Sequence, residues 1–162
     1  MYEHIADSYN QLHGAEQTRK FVKLTRELIL DEYESVVDVG CATAHLSKYF
    51  SSQVYLGVDP CKQLLMHAPE NVHVVCAYGE ALPLEDESAD LVMSLTALHN
   101  YDDPIQGVRE LARICSDTAL VGVLKKSSHT SSIVSEIKKY FVIKEHLSDA
   151  HDELFVLCVR NV

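Results

Sequence analysis

Short apolar runs alternate with amphipathic segments along most of the chain. The apolar runs predict five strands, at about residues 36–39, 54–58, 72–76, 91–95 and 120–124. Helical spacing of apolar residues predicts helices at about residues 15–30, 62–67, 104–115 and 133–141, and two further strands near 142–146 and 154–160 close the chain. Strands that alternate with helices predict an α/β fold with a doubly wound, mostly parallel seven-stranded sheet and a C-terminal antiparallel hairpin.

The most informative stretch covers residues 36–46. A buried strand with Asp38 near its end passes into the small residues 40–44 and then into a helical pattern at Leu46, Tyr49 and Phe50. The open amides at the start of such a helix bind a carboxylate or a phosphate. The next strand ends in Asp59, about 20 residues after the glycine turn, where a carboxylate usually binds ribose hydroxyls. This pair of strand ends predicts a nucleoside site.

Composition limits the classes of protein and partner. A chain of 162 residues fits one domain, residues 1–162, with an N-terminal segment and helix at 1–31 and a sheet core at 35–162. The formal charge of −10 disfavours nucleic acid as a partner, because phosphate binding needs clustered Lys and Arg. The five cysteines show no paired spacing, no apolar stretch is long enough for a membrane span, and Met1 begins no signal-peptide pattern. We therefore expect a reduced, cytoplasmic protein.

Two further stretches carry recognisable motifs. Residues 80–92 resemble the pattern E-x-L-P-F-x-D-x-S-F-D-x-V, and residues 97–104, followed by 109–113, continue the match. With the glycine turn, these motifs resemble the class I S-adenosylmethionine-dependent methyltransferase superfamily of the small-molecule type, which includes the ubiquinone and menaquinone methyltransferases. The matches run from about Ile5 to Val123. The resemblance implies a Rossmann-like fold, S-adenosylmethionine as the cofactor, and direct in-line methyl transfer to an acceptor.

The resemblance also implies roles for individual residues. Asp38 would lie near the methionyl ammonium, the loop at Gly40, Cys41 and Ala42 near the methionyl carboxylate, and Asp59, followed by Pro60, on the ribose. The remaining expected cofactor contacts are Leu64 under the adenine, the turn of Ala77, Tyr78 and Gly79 at the adenine edge, and Leu95 near the transferred methyl. His99, after the fourth strand, and Tyr9, in the N-terminal segment, are the candidate catalytic residues, although a histidine after a strand is as often a loop residue.

This sequence departs from the family pattern at the cofactor loop and at the adenine turn. Alanines stand at positions 42 and 44, where the family has glycines, and Tyr78 replaces the usual Asp. An alanine in the left-handed conformation costs about 1 kcal/mol or more, so either the loop avoids that conformation or cofactor affinity falls. Residues 5–14 resemble a family segment that folds over the cofactor, with Asn10 in place of Asp, but are equally compatible with a frayed N-terminal turn.

Two other functions share parts of this pattern. A nicotinamide-dependent oxidoreductase has the same strand, glycine turn and ribose carboxylate, but its third glycine would fall at His45. A non-catalytic binding or partner subunit would explain the altered loop and Tyr78. No metal site is expected, since His146, Asp149, His151 and Asp152 fall in a predicted exposed hairpin turn. We expect a small molecule or a protein as the methyl acceptor. It would be held by the N-terminal segment or by the second subunit of a homodimer, or it would be part of a larger partner.

Overall fold

The computed structural model describes residues 3–161, with side chains from residue 8 onward. Seven strands form one sheet: β1 (Ser35–Val39), β2 (Val54–Asp59), β3 (His73–Cys76), β4 (Ala89–Leu95), β5 (Cys115–Leu124), β6 (Phe141–Ser148) and β7 (Asp152–Val159). Their order is β3-β2-β1-β4-β5-β7-β6, and β7 runs antiparallel to both of its neighbours, β5 and β6. The predicted fold class is confirmed.

Four α-helices accompany the sheet: α1 (Glu3–Thr25), α2 (Lys62–Leu65), α3 (Pro104–Ile114) and α4 (Thr130–Tyr140). Because side chains alternate along a strand, β1 contributes to two separate cores. Val37 and Val39 belong to the core that includes α3 and α4, whereas Val36 belongs to the core that includes α1. The sheet is therefore covered on both faces, as its continuous apolar strands predict. None of the described helices is long and apolar enough to cross a membrane.

The N-terminal region differs from its prediction. Helix α1 begins at Glu3 and ends at Thr25, so the frayed turn proposed for residues 5–14 and the helix end near residue 30 are both wrong. Lys20 is completely buried, although a charged residue of an amphipathic helix usually faces solvent. Residues 1 and 2 of the predicted N-terminal segment, and the side chain of Ile5, lie outside the described residues. The sequence pattern failed here because α1 buries polar as well as apolar side chains.

The helix expected after the glycine turn is only a short 3₁₀ helix, His45–Tyr49. The residue before it, Ala44, has a φ of 54°, so the chain enters this turn from a left-handed conformation. Tyr49 and Phe50 still pack against Phe21 of α1, with ring centroids 4.8 and 5.5 Å away. The predicted amphipathic face therefore exists, but no α-helix begins at this loop.

The C-terminal hairpin is longer than predicted and less exposed. The pairing of β6 with β7 extends to Ser148 and Glu153, next to the connecting turn. Asp152, expected in a solvated turn, has no exposed surface, because α1 lies over the start of β7. In the described part of the chain, no three His, Cys, Asp or Glu side chains form a cluster that could hold a metal ion.

Candidate functional site

A cleft lies above the carboxyl ends of β1, β2 and β4. Strand order changes direction between β1 and β4, and ligands of open α/β sheets bind at such a point. The main cavity has a volume of about 260 Å³, and a narrow extension of about 10 Å³ reaches between α1 and the loop after β1. Tyr9 and Gly40 line both parts. We refer to the cavity and its extension together as the cleft.

The loop at residues 40–44 has an unusual backbone conformation. Gly40, Ala42 and Ala44 have φ values of 82°, 52° and 54°. The loop therefore does not avoid the left-handed region, and each alanine carries a conformational cost of about 1 to 2 kcal/mol. A side chain at Gly40 would also place its Cβ 2.4 Å from the Cβ of Ala97, so only glycine fits at this position. Backbone strain of this kind is concentrated at functional sites in proteins.

Asp59, at the end of β2, holds this loop in place. Its Oδ2 accepts a hydrogen bond from the Ala42 N–H at 2.9 Å, and its Oδ1 accepts one from the Cys61 N–H at 2.8 Å. A carboxylate oxygen can accept two hydrogen bonds, so each oxygen retains a free lone pair. Asp59 also lines the main cavity. One side chain can therefore fix the strained loop and bind a pair of ligand hydroxyls.

Asp38 lies in the narrow extension of the cleft and is almost completely buried. The Tyr55 hydroxyl donates a hydrogen bond to Asp38 Oδ2 at 2.7 Å. Burial raises the pKa of Asp38 to about 7, although the Tyr55 hydrogen bond acts in the opposite direction. Because burial without a cationic partner causes this shift, a cation bound beside Asp38 would favour the ionised carboxylate.

The opposite end of the cleft contains an aromatic turn. Tyr78 is exposed, and a Cβ at Gly79 would lie 2.3 Å from the hydroxyl oxygen of Tyr101, so that ring packs directly on the glycine backbone. Burial raises the pKa of the Tyr101 hydroxyl. Glu80 accepts a hydrogen bond from the Asp102 N–H at 3.0 Å, which ties this turn to the segment before α3. The planar Tyr78 side chain takes the place where the family pattern has a carboxylate.

Helix α1 forms one wall of the cleft. Tyr9 and Gln17 line it, and the Thr43 hydroxyl donates a hydrogen bond to Asn10 Oδ1 at 2.6 Å, which joins α1 to the strained loop. Burial, followed by the charges of Asp59 and Asp38, raises the pKa of Tyr9. The Tyr9 hydroxyl is therefore neutral at physiological pH and can donate a hydrogen bond, but is a poor proton acceptor.

The structure gathers most of the predicted site residues in this cleft. Those that line it are Asp38, Gly40, Cys41, Ala42, Asp59, Pro60, Tyr78, Gly79, Leu95 and Tyr9. Leu64, Ala77 and His99 are not among the lining residues. Leu64 is half-buried on α2, Ala77 packs against the core, and the Nδ1 atom of His99 is buried without a described hydrogen-bond partner. Their predicted roles stay predictions.

Sequence reasoning missed several residues of the cleft. These are Gln17, His45, Asn100 and Tyr101. The motif at residues 97–104 already marked the segment of Asn100 and Tyr101, so position relative to β4 was an available signal for them. No signal was available for Gln17, because only the packing of α1 over β4 brings its side chain to the cleft.

Comparisons with known proteins agree with this architecture. The sequence model of the family described as "Methyltransferase domain" matches residues 37–121, just over half of the chain. The chain is 33% identical over 102 residues to the malonyl-[acyl-carrier protein] O-methyltransferase of Marinomonas sp., a match that covers 57% of this chain and 38% of that protein. It is 33% identical over 119 residues to the ubiquinone/menaquinone biosynthesis C-methyltransferase UbiE of Hahella chejuensis, covering 63% and 47%. The chain thus spans less than half the length of these two relatives.

A solved structure supports the fold over a longer part of the chain. The N-methyltransferase NodS from Bradyrhizobium japonicum, in complex with S-adenosyl-L-homocysteine, superposes with a TM-score of 0.74 at 7% identity. The superposition covers 91% of this chain and 87% of NodS. The family match over residues 37–121, the sequence relatives and this shared architecture establish that the chain belongs to the methyltransferase domain family, within the class I S-adenosylmethionine-dependent methyltransferase superfamily.

Proposed function

We propose that this protein binds S-adenosylmethionine in the cleft and transfers its methyl group in line to an acceptor. One observation carries this proposal. Two buried carboxylates, Asp38 and Asp59, lie around a glycine turn, and no side chain would fit at its Gly40. Family membership and relatives named as methyltransferases support it.

The residues of the cleft suit the chemistry of this cofactor. Asp59 would accept from the two ribose hydroxyls with the lone pairs that the Ala42 and Cys61 amides leave free. Asp38, buried without a cation, would pair with the methionyl ammonium. The wall of Tyr78 and Gly79 offers an aromatic face to the adenine. The loop at Gly40, Cys41 and Ala42 would face the methionyl carboxylate.

The bound cofactor would supply a methyl group that its positively charged sulfur already activates. The protein then has to bind both reactants, align them and exclude water. Helix α1 covers the cleft with Tyr9 and Gln17 and is joined to the loop by Asn10, so it would serve as the wall that excludes water. Tyr9 would act through its neutral hydroxyl rather than as a base, since burial raises its pKa.

A non-catalytic partner subunit is the second candidate. It is favoured by the two strained alanines and by Tyr78, because both features weaken the family's cofactor contacts. A protein of this kind would retain the fold without binding the cofactor. The two functions therefore differ in a property that is measured directly.

Titration calorimetry with S-adenosylmethionine, S-adenosylhomocysteine and NAD tests the proposal. We expect micromolar binding of the first two, about −8 kcal/mol, and none of NAD. Asp59→Asn removes the charge and turns one acceptor into a donor, so its affinity should fall at least about tenfold. Asp117→Asn, on the exposed start of β5, is the matched control and should bind normally. Absence of binding to the unaltered protein would favour the partner-subunit function.

A further inference from the structure

Thr96 is a strained residue directly after β4, where it lines the cleft. Its φ is 63°, a conformation that a β-branched residue almost never adopts. The backbone around it is held firmly, since the Thr96 N–H donates to the Gly122 carbonyl of β5 at 3.0 Å. Strain that the surrounding structure maintains at the edge of a binding cleft suggests that the direction of this side chain matters.

The Thr96 hydroxyl has an unusual hydrogen-bonding arrangement. Its oxygen accepts one hydrogen bond from Gln17 Nε2 at 3.0 Å and another from Lys20 Nζ at 3.1 Å. A hydroxyl group has two acceptor lone pairs and one donor proton, so these two bonds use all of its acceptor capacity. No acceptor for the proton occurs among the described residues. The hydroxyl can therefore act toward a ligand only as a donor.

Lys20 reinforces this polarity. Its ammonium is completely buried and contacts Asp152 Oδ2 at 2.9 Å and Glu16 Oε1 at 3.1 Å, as well as the Thr96 hydroxyl. A charged donor on the hydroxyl oxygen polarises its O–H bond and strengthens the hydrogen bond that the proton makes. Because Asp152 and Glu16 fix the ammonium, the lysine cannot swing away to release Thr96.

We propose that Thr96 determines acceptor specificity by donating a hydrogen bond to an oxyanion, a carboxylate or a phenolate, on the acceptor. This assignment rests on the proposed function, because it places the acceptor at the β4 end of the cleft, opposite Tyr78 and Gly79. Lys20 and Gln17 are positioning residues, which act by occupying the acceptor lone pairs of the Thr96 oxygen.

Transfer to an oxyanion balances without a proton acceptor. The bond between the acceptor oxygen and the methyl carbon forms, the bond between sulfur and that carbon breaks, and the bonding pair stays on sulfur. The negative oxygen and the positive sulfur both become neutral, and no proton has to leave. The cleft suits this chemistry, because His99 does not line it and the hydroxyl of Tyr9 remains neutral.

The acidic residues of the cleft predict the opposite preference. Asp38, Asp59, Glu80 and Asp102 all line it, and their charges attract a cationic amine. Binding measurements on the protein saturated with S-adenosylhomocysteine decide between the two. We would titrate benzoate, 4-nitrophenolate and benzylamine at about pH 8, where all three are ionised, and follow amide shifts by NMR. The two oxyanions distinguish a carboxylate acceptor from a phenolate.

We expect at least one oxyanion to bind and benzylamine to bind at least about tenfold more weakly. Thr96→Val should weaken oxyanion binding about tenfold or more, because it removes the donor and leaves the shape unchanged. Thr96→Ser and Thr96→Ala form a second pair that differs by the hydroxyl alone, and only serine should retain binding. Thr25→Val is the matched control at the far end of α1, where the hydroxyl donates to the Phe21 carbonyl instead.

S-adenosylhomocysteine affinity is measured for every variant and should stay within about threefold of the unaltered protein. A comparable loss of that affinity in Thr96→Val would assign the hydroxyl to the cofactor and overturn the inference. Preference for benzylamine, absence of oxyanion binding, or equal oxyanion binding by Thr96→Val would overturn it as well. If S-adenosylhomocysteine does not bind to the unaltered protein, the proposed function fails and this assignment fails with it.

Discussion

Removal of either partner of the buried ion pair between Lys20 and Asp152 should cost this protein a large share of its stability. The two side chains are 1% and 0% exposed, and their charged atoms lie 2.9 Å apart. They join the middle of α1 to the start of β7, which are separated by most of the chain. Lys20→Met leaves the Asp152 carboxylate buried without its cation, and Asp152→Leu leaves the ammonium with only Glu16 and Thr96.

The expected cost follows from desolvation. Removal of one partner of a buried pair destabilises proteins by about 3 to 5 kcal/mol, because the remaining charge stays buried and unpaired. Typical domains have a total stability of about 5 to 15 kcal/mol, so each single variant should lose about a fifth or more of it. At about 2 to 4 °C per kcal/mol for a chain of this size, the Tm should fall by roughly 6 to 20 °C. The double variant Lys20→Met/Asp152→Leu should recover at least about 2 kcal/mol relative to additive losses.

Urea unfolding followed by circular dichroism measures all three free energies. The matched control is Arg19→Met, one residue away on α1, which removes an ion pair to Asp149 of 3.0 Å between partly exposed side chains. That change should cost less than about 1 kcal/mol. A loss below about 1 kcal/mol for Lys20→Met, or additive losses in the double variant, would refute the argument that a buried charge pair joins α1 to the sheet.

Two further predictions concern Asp38 and Gly40, to which we assign roles in cofactor binding. In the folded protein the pKa of Asp38 is raised from 3.8 to about 7, so this group's contribution to stability falls as pH rises from about 4 to about 7 and is constant above that. The ammonium of S-adenosylhomocysteine needs the ionised Asp38 carboxylate, so affinity should rise about tenfold per pH unit up to pH 7 and be constant above it. Asp38→Asn should show no dependence of affinity on pH. The same flat profile from the unaltered protein in calorimetry would contradict the prediction. Gly40→Ala should abolish that binding, because its Cβ would lie 2.4 Å from the Ala97 Cβ at a φ of 82°. Ala15→Gly, on exposed α1 surface, is the control for the folded state, and micromolar affinity in Gly40→Ala would contradict the geometry.

The order of strands and helices was predictable because each depends on local patterns. Apolar runs such as residues 91–95 have the length and composition of a central strand, and they are found as one. The start of α3 also depends on a local pattern. Pro104 stands at its first position, and Asp103 accepts a hydrogen bond from the Gln106 N–H at 3.0 Å. The candidate carboxylates, Asp38 and Asp59, follow from their positions at strand ends.

Local patterns failed where long-range packing decided the outcome. The segment before residue 15 is polar, yet it is helical, and its Asn10 accepts a hydrogen bond from Thr43, which is distant in sequence. The helix after the glycine turn was overestimated, since apolar spacing does not distinguish a five-residue 3₁₀ helix from an α-helix. Asp152 was placed in solvent because its charged neighbours are typical of an exposed turn.

The sequence by itself determined the family, the seven strands and the two carboxylates at the cleft. Each of these is written in residues close together along the chain, where strand length, turn chemistry and motif spacing act. Only the tertiary structure decided the conformation of the alanine loop, the burial of Lys20 against Asp152, and the two hydrogen bonds that leave the Thr96 hydroxyl as a donor. The physical reason is that burial of a charge and saturation of a hydroxyl depend on partners from three separate elements, α1, β4 and β7, and no local pattern encodes which of these meet.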